Sequence, residues 1–216
     1  MKPAGLIFFL LLLASCQSGN SRPGRPGYLF YDTILKKEVN GRVVNDTVFK
    51  KLSRFCLQNQ DGVPLCSDFF RGKVTLVALT HVDCRWVTEL TSLIGYLEKF
   101  HNREDFLMVN IGVDLSDSIR LLKLLRQRLF AGSAPRNVHF ATFARRSERD
   151  SVLFYDFKAG IAPKELDSIT EDINLTVHSN MAILFDKEGH TRRYYEYVKT
   201  EQFERLKKDI GYLLKE

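Results

Sequence analysis

The 216-residue sequence has no long block of like charge, no internal repeat and no apolar run long enough to cross a bilayer. Its 32 Lys and Arg residues are interspersed with 26 Asp and Glu residues, so the net charge of +6 does not predict nucleic acid binding. The lack of a repeat at a solenoid period excludes a repeat architecture. With 44% hydrophobic and 12% aromatic residues, the length predicts one compact domain with appendages.

The first fifteen residues have the organisation of an export signal. Lys2 supplies a short positive segment, residues 6–14 are apolar, and Leu13-Ala14-Ser15-Cys16 places small residues directly before a cysteine. This tetrapeptide resembles the lipobox of bacterial lipoproteins. Residues 1–15 are therefore predicted to be a lipoprotein signal peptide. An ordinary secretory signal that is cut near Ser15 is the alternative.

The expected site of lipidation is Cys16, which would carry a diacylglycerol and an N-acyl chain such as palmitate. Residues 16–27 are rich in Gly, Pro, Ser and Arg and are predicted to form a flexible tether. The folded part would face the periplasm or another space of the bacterial cell envelope, outside the cytoplasm, where disulfides can form. The first predicted partner is thus a membrane, inner or outer, reached through the lipid on Cys16.

After the tether, the pattern predicts two hairpins and then an α/β domain. Residues 28–52 contain β-like runs and the turn signal Asn40-Gly41, and they are expected to form a small N-terminal β-hairpin. A second hairpin is expected around residues 59–62. Buried strands and helical periodicities follow in the order β-α-β-α-β-α-β-β-α. This order predicts a thioredoxin-like fold over residues 53–216, with a central mixed sheet and helices on both faces.

Two of the remaining three cysteines, Cys56 and Cys66, lie on the two sides of the second hairpin. If the hairpin loop holds residues 60–62, Cys56 lies opposite Cys66, and the pair could form a structural disulfide. A shift of the register by one residue would separate them, and they would then be two separately packed thiols. In both cases their role is architectural.

Three segments, residues 55–62, 70–74 and 177–189, resemble the SCO/SenC family of membrane-anchored copper chaperones. The resemblance extends over about residues 42–216. It implies a thioredoxin-like fold, copper as the metal, and a respiratory oxidase subunit or another envelope protein as partner. In that family a C-x-x-x-C loop after the first core strand and a distant histidine bind copper or carry out thiol chemistry. His178 matches that histidine.

The loop after the first core strand departs from the family pattern. Without gaps, Val82 and Trp86 occupy the two cysteine positions, while Asp83 and Val87 stand where the family usually has proline. Cys84 is the only sulfur in this loop. Because a dithiol–disulfide cycle needs two sulfurs, the intramolecular redox mechanism is excluded.

Three interpretations of this loop are open. The first is a non-catalytic interaction module that keeps the fold without the site. The second is a rebuilt copper site made by Cys84 and His178 with His81 or Asp83, because thiolate and imidazole suit copper. The third is a one-cysteine thiol enzyme, in which a helix N-terminus and Arg85 lower the pKa of Cys84.

Positive charge is concentrated on one predicted helix and on the segment that follows it. The residues are Arg120, Lys123, Arg126 and Arg128, and then Arg145, Arg146 and Arg149. We interpret them as a solvated face, which an anionic lipid surface near the anchor would attract weakly.

Overall fold

The computed structural model describes residues 25–80, 87–114, 117–130, 134–159, 181–197 and 199–216. Within these ranges the chain forms nine β-strands and four α-helices, which follow the predicted order. The elements are β1 Tyr31–Val39, β2 Arg42–Phe49, β3 Cys56–Asn59, β4 Pro64–Cys66, β5 Val74–Thr80, α1 Val87–Tyr96, β6 Phe106–Gly112, α2 Ile119–Phe130, β7 Val138–Thr142, α3 Arg146–Ser151, β8 Met181–Phe185, β9 Thr191–Glu196 and α4 Thr200–Leu213. A π-helical turn, Val152–Asp156, continues α3.

Strands β3 to β9 form one seven-stranded mixed sheet in the order β4-β3-β7-β6-β5-β8-β9. β5, β6 and β7 run parallel to one another, and the other neighbours pair antiparallel. Every residue of β5 and β6 is buried, as their continuous apolar sequence predicts for strands covered on both faces. The predicted central mixed sheet is confirmed.

Helices cover both faces of this sheet. The crossovers β5-α1-β6 and β6-α2-β7 move in the same direction across the sheet, and because such crossovers are right-handed, α1 and α2 fall on one face. α4 joins them in one buried apolar cluster. α3 and its π-helical turn cover the other face, where Leu153 belongs to the same buried cluster as Val77 and Val109.

β1 and β2 form a separate antiparallel ribbon that is not hydrogen-bonded into the seven-stranded sheet. Its turn is Asn40-Gly41, whose φ angles of 52° and 73° suit a two-residue hairpin turn. The hairpin and its turn were predicted, but strands of nine and eight residues make the ribbon longer than the small hairpin expected. It carries a row of exposed apolar side chains, Tyr31, Ile34, Leu35, Val39, Val43, Val44 and Val48.

Residues 25–30, which we call the entry segment, attach the start of the described chain to the first residues of β9. The Leu29 amide donates a hydrogen bond to the Thr191 carbonyl at 3.1 Å. The Arg192 guanidinium donates to the Pro26 carbonyl through Nε at 3.0 Å and Nη2 at 2.6 Å. The last residues of the expected tether are therefore held by the domain.

Candidate functional site

The candidate metal residues His81, Cys84 and His178 lie outside the described residues, and so does Asp83. The strands that flank them are described. Cys84 follows the end of β5 by four residues, and His178 precedes the start of β8 by three residues. β5 and β8 are antiparallel neighbours in which Ala78 pairs with Ala182, so the end of β5 and the start of β8 lie at the same edge of the sheet.

The reach of the chain allows the two candidate ligands to meet at this edge. A chain spans at most about 3.5 Å per residue, so Cys84 lies within about 14 Å of the end of β5 and His178 within about 10 Å of the start of β8. Neighbouring strands are about 4.8 Å apart. The topology thus starts the segments that carry Cys84 and His178 from neighbouring strand ends, although these residues are distant in sequence.

Hydrogen bonds between neighbouring elements hold this edge of the sheet together. The Val113 amide donates to the Thr80 carbonyl at 2.9 Å, and the Thr80 hydroxyl donates to the Ile111 carbonyl at 3.4 Å. On the other side of β5, the buried Tyr197 hydroxyl donates to the Leu79 carbonyl at 3.3 Å. The last two residues of β5 are therefore held on both sides, directly before the loop that carries Cys84.

A buried carboxylate at the same edge was not among the predicted site residues. Asp117 is 2% exposed, and its Oδ2 would lie 2.8 Å from a Cβ added at Gly112. Gly112 pairs with Thr80 across β5 and β6, which places Asp117 close to the end of β5. The sequence signal is an acidic residue shortly after a buried parallel strand, where side chains gather at the carboxyl edge of such sheets.

The described residues contain no group of three or more His, Cys, Asp or Glu side chains that could hold a metal ion. Three histidines are described. His190 contacts Asp186, with Nδ1 3.1 Å from Oδ2. His101 and His139 are partly buried, and burial lowers the pKa of both imidazoles. None of the three belongs to the predicted copper site.

Cys56 and Cys66 are joined by a disulfide. They pair directly across β3 and β4, with Leu57 opposite Leu65, which is the register expected from a loop at residues 60–62. β4 is the edge strand of the sheet, and the disulfide links it to β3. The bond is distant in sequence from the loop that carries Cys84, and it fits the architectural role expected for it.

A charged cluster lies at the opposite end of β5, where Thr75 pairs with Phe185. The Arg192 side chain is fully buried, and its Nη1 lies 2.9 Å from Asp186 Oδ2 and 3.3 Å from Glu216 Oε2. The Tyr28 ring covers the same guanidinium at 4.3 Å. This cluster fixes the entry segment at the end of the sheet that is remote from the candidate site, at a distance of about 20 Å for a strand of seven residues.

The predicted signal peptide and the lipidation site Cys16 also lie outside the described residues. In the part of the chain that the structure describes, no helix is both long enough and apolar enough to span a membrane.

Comparison with known proteins gives structural matches only. No family model and no curated protein matches the sequence. BsSco, a member of the Sco family of cytochrome c oxidase assembly proteins, is 21% identical with a TM-score of 0.61, over 77% of this chain and 94% of its own. A SCO1/SenC family lipoprotein from Bacillus anthracis is 19% identical with a TM-score of 0.62, over 76% and 94%. Copper-bound ScoI from Bradyrhizobium japonicum is 18% identical with a TM-score of 0.55, over 76% and 100%.

These similarities show the fold of the chain. The thioredoxin-like α/β fold predicted from the sequence, with its mixed sheet and N-terminal hairpin, is confirmed. The resemblance to SCO/SenC proteins, which the sequence carries in three separate segments, is confirmed at the level of the fold.

Proposed function

We propose that the chain is a divergent SCO/SenC-type protein of the bacterial cell envelope that handles copper for the assembly of a respiratory oxidase. Its fold is shared with a Sco protein of oxidase assembly and with a copper-bound ScoI. The observation that carries the proposal is the position of β8 beside β5. The segment with Cys84 leaves β5, and the segment with His178 enters β8, at the same edge of the sheet. A lipid on Cys16 holds the domain at the membrane.

In this proposal copper is cargo, and Cys84 and His178 bind it with help from His81. A soft thiolate holds Cu(I), and imidazole nitrogen supports Cu(II), so the donor set suits both oxidation states. The loop has one sulfur, so copper binding is not coupled to an internal disulfide. The site therefore differs from the family pattern in its thiol chemistry and keeps the ability to hold a metal.

Copper titration tests this assignment. We expect the protein to bind one equivalent of Cu(I), and Cys84→Ala and His178→Ala each to abolish binding. His101→Ala and His139→Ala are matched controls, because both histidines lie elsewhere in the domain, and these variants should bind like the parent. If the parent binds no copper and Cys84 forms no sulfenic acid with peroxide, the result favours the non-catalytic interaction module. A peroxide-dependent sulfenic acid at Cys84 without copper binding would indicate the one-cysteine thiol enzyme instead.

Metabolic labelling with palmitate tests the anchor separately. We expect the chain to incorporate label and to fractionate with membranes, and Cys16→Ser to lose both properties. Cys84→Ala is the control for a cysteine substitution and should keep the label. An unlabelled parent chain that is released as a soluble protein would show that Ser15 marks an ordinary secretory cleavage site.

A further inference from the structure

The outer side of α2 carries a surface that the proposed copper chemistry does not use. Five of its residues are exposed, and at about 100° per residue they fall within an arc of about 140°. We call this surface the basic strip; its members are Arg120, Lys123, Leu124, Gln127 and Arg128. The opposite side of the helix is held in the core through Leu122 and Leu125, so the strip is rigidly presented.

Among the described residues, no carboxylate pairs with the cations of the strip. No Asp or Glu occurs between Asp117 and Glu148, while the same interval contains seven Lys and Arg residues. None of the three cations of the strip forms an ion pair with another described residue. On α4, by contrast, Lys207 pairs with Glu204. The positive charge on the exposed side of α2 is thus not paired within the described part of the chain.

The composition of the strip fits a flat anionic surface better than a protein. Protein interfaces have an apolar core in which Lys is depleted, and they need roughly 800 Å² from each partner. The strip offers one exposed large apolar side chain, Leu124, among three cations. Headgroups of anionic lipids need no fixed pattern of partners, and each basic residue near such a surface strengthens binding about fivefold.

We propose that the basic strip docks α2 on anionic lipid headgroups of the membrane to which the chain is anchored. This inference rests on the proposed lipid anchor. Residues 16–24 can reach about 30 Å, whereas a domain of this size has a radius of gyration of about 16 Å. The tether therefore allows α2 to lie flat on the bilayer. α2 leads from the end of β6 back to the start of β7, so it runs alongside these strands. When α2 lies flat on the membrane, the strands are parallel to the membrane, and the sheet edge with the candidate site faces sideways along the membrane surface.

Lysine modification of the vesicle-anchored full chain tests the docking. Vesicles are made of phosphatidylcholine alone or of an equimolar mixture with phosphatidylglycerol, and a water-soluble acylating reagent is used. We expect Lys123 to react at least fivefold more slowly on the anionic vesicles, with the protection lost at high salt. Lys158, which lies on the face opposite α2, is the internal control and should react equally on both.

A charge-neutralising variant adds a second measurement. The double variant Arg120→Gln/Arg128→Gln should weaken docking by about 30-fold and abolish the protection of Lys123. Equal reactivity of Lys123 on both vesicles, or protection that the double variant keeps, would overturn the proposal. Protection produced by polyglutamate but not by lipid would assign the strip to an acidic protein and would also overturn it.

Different outcomes contradict the proposed lipid anchor and the proposed docking of the basic strip. If the parent chain does not stay with neutral vesicles, the proposed anchor is wrong. The strip is then tested with the full chain carrying Cys16→Ser. Its affinity for anionic vesicles, measured by sedimentation, should fall about 30-fold when Arg120→Gln/Arg128→Gln is added. Sedimentation that does not change in that variant counts against the strip alone.

Discussion

Replacing Arg192 with Ala should destabilise the domain more than any substitution of an exposed ion pair. The Arg192 side chain is fully buried, and its partner Asp186 has a side chain that is only 9% exposed. Removing one member of a buried pair costs about 3–5 kcal/mol, because the other charge stays buried without compensation. Asp186 still accepts a hydrogen bond from the His190 amide at 2.9 Å, so we expect a loss of about 3 kcal/mol.

Urea and thermal unfolding measure this effect. For a domain of this size, a loss of about 3 kcal/mol lowers Tm by about 6–12 °C. Lys51→Ala is the matched control, because Lys51 forms an exposed ion pair with Glu188 in the turn between β8 and β9. This substitution should lower the free energy of unfolding by less than about 1 kcal/mol. Arg192→Ala should also speed hydrogen exchange at the Leu29 amide, because the entry segment loses its hydrogen bonds to the Arg192 guanidinium.

The double variant Arg192→Met/Asp186→Asn tests the reason for the loss. It leaves no charge of this pair buried, so it should be more stable than Arg192→Ala. An Arg192→Ala variant that unfolds within about 1 kcal/mol of the parent, or a double variant that is the less stable of the two, would show that the buried pair does not stabilise the domain in this way.

Three further predictions concern packing, the disulfide and pH. Gly112→Ala places a Cβ 2.8 Å from a buried carboxylate oxygen and should cost about 1–3 kcal/mol in unfolding, whereas Gly211→Ala, with open space around it, should be neutral or stabilising. Cys56→Ser/Cys66→Ser opens a short loop and should cost about 3 kcal/mol, and a reducing agent should lower the Tm of the parent but not of this variant. Burial lowers the pKa of His139 below the 6.5 of an exposed histidine, so the unfolded state binds more protons and stability falls as pH drops through 6.5 towards 5. His139→Gln should reduce that slope in unfolding measured across this range; an unchanged slope would contradict the assignment.

The sequence was most informative where the hydrophobic pattern leaves one physical solution. β5 and β6 consist mostly of apolar and β-branched residues without polar alternation, and only a strand covered on both faces buries every side chain of such a run. The register of Cys56 opposite Cys66 followed from the loop length, because the side-chain alternation of a hairpin has a period of two.

The helix after β5 is shorter than the sequence pattern predicts. The order of elements predicted one helix between β5 and β6, but α1 ends at Tyr96 and a separate 3₁₀ turn, Glu98–Phe100, follows. The described Leu, Ile and Phe residues of this stretch are buried both in α1 and in the 3₁₀ turn, so apolar periodicity does not distinguish a helix from a helix followed by a turn. The same holds for the end of the short third helix, which becomes a π-helical turn.

Long-range polar contacts could not be predicted from local pattern. Arg192 and Pro26 are separated by 166 residues, and no spacing rule connects a guanidinium with a carbonyl so far away. Asp117 is close to Gly112 in sequence, but its burial depends on how the chain turns back over the end of β6. At the candidate site, the sequence supplied the residue types, and the topology supplied the adjacency of β5 and β8.

The attachment of the entry segment bears on where the chain can be shortened. A fragment that starts at residue 53, the predicted beginning of the thioredoxin-like domain, would lack the Pro26 carbonyl, the Tyr28 ring and the Lys51 bridge to His190. The Arg192 guanidinium in β9 would then lose the Pro26 carbonyl as an acceptor and the Tyr28 ring as its cover. We therefore expect a chain that begins at Arg25 to be more stable than one that begins at residue 53, because the stretch between the proposed anchor and the sheet contributes contacts to the fold.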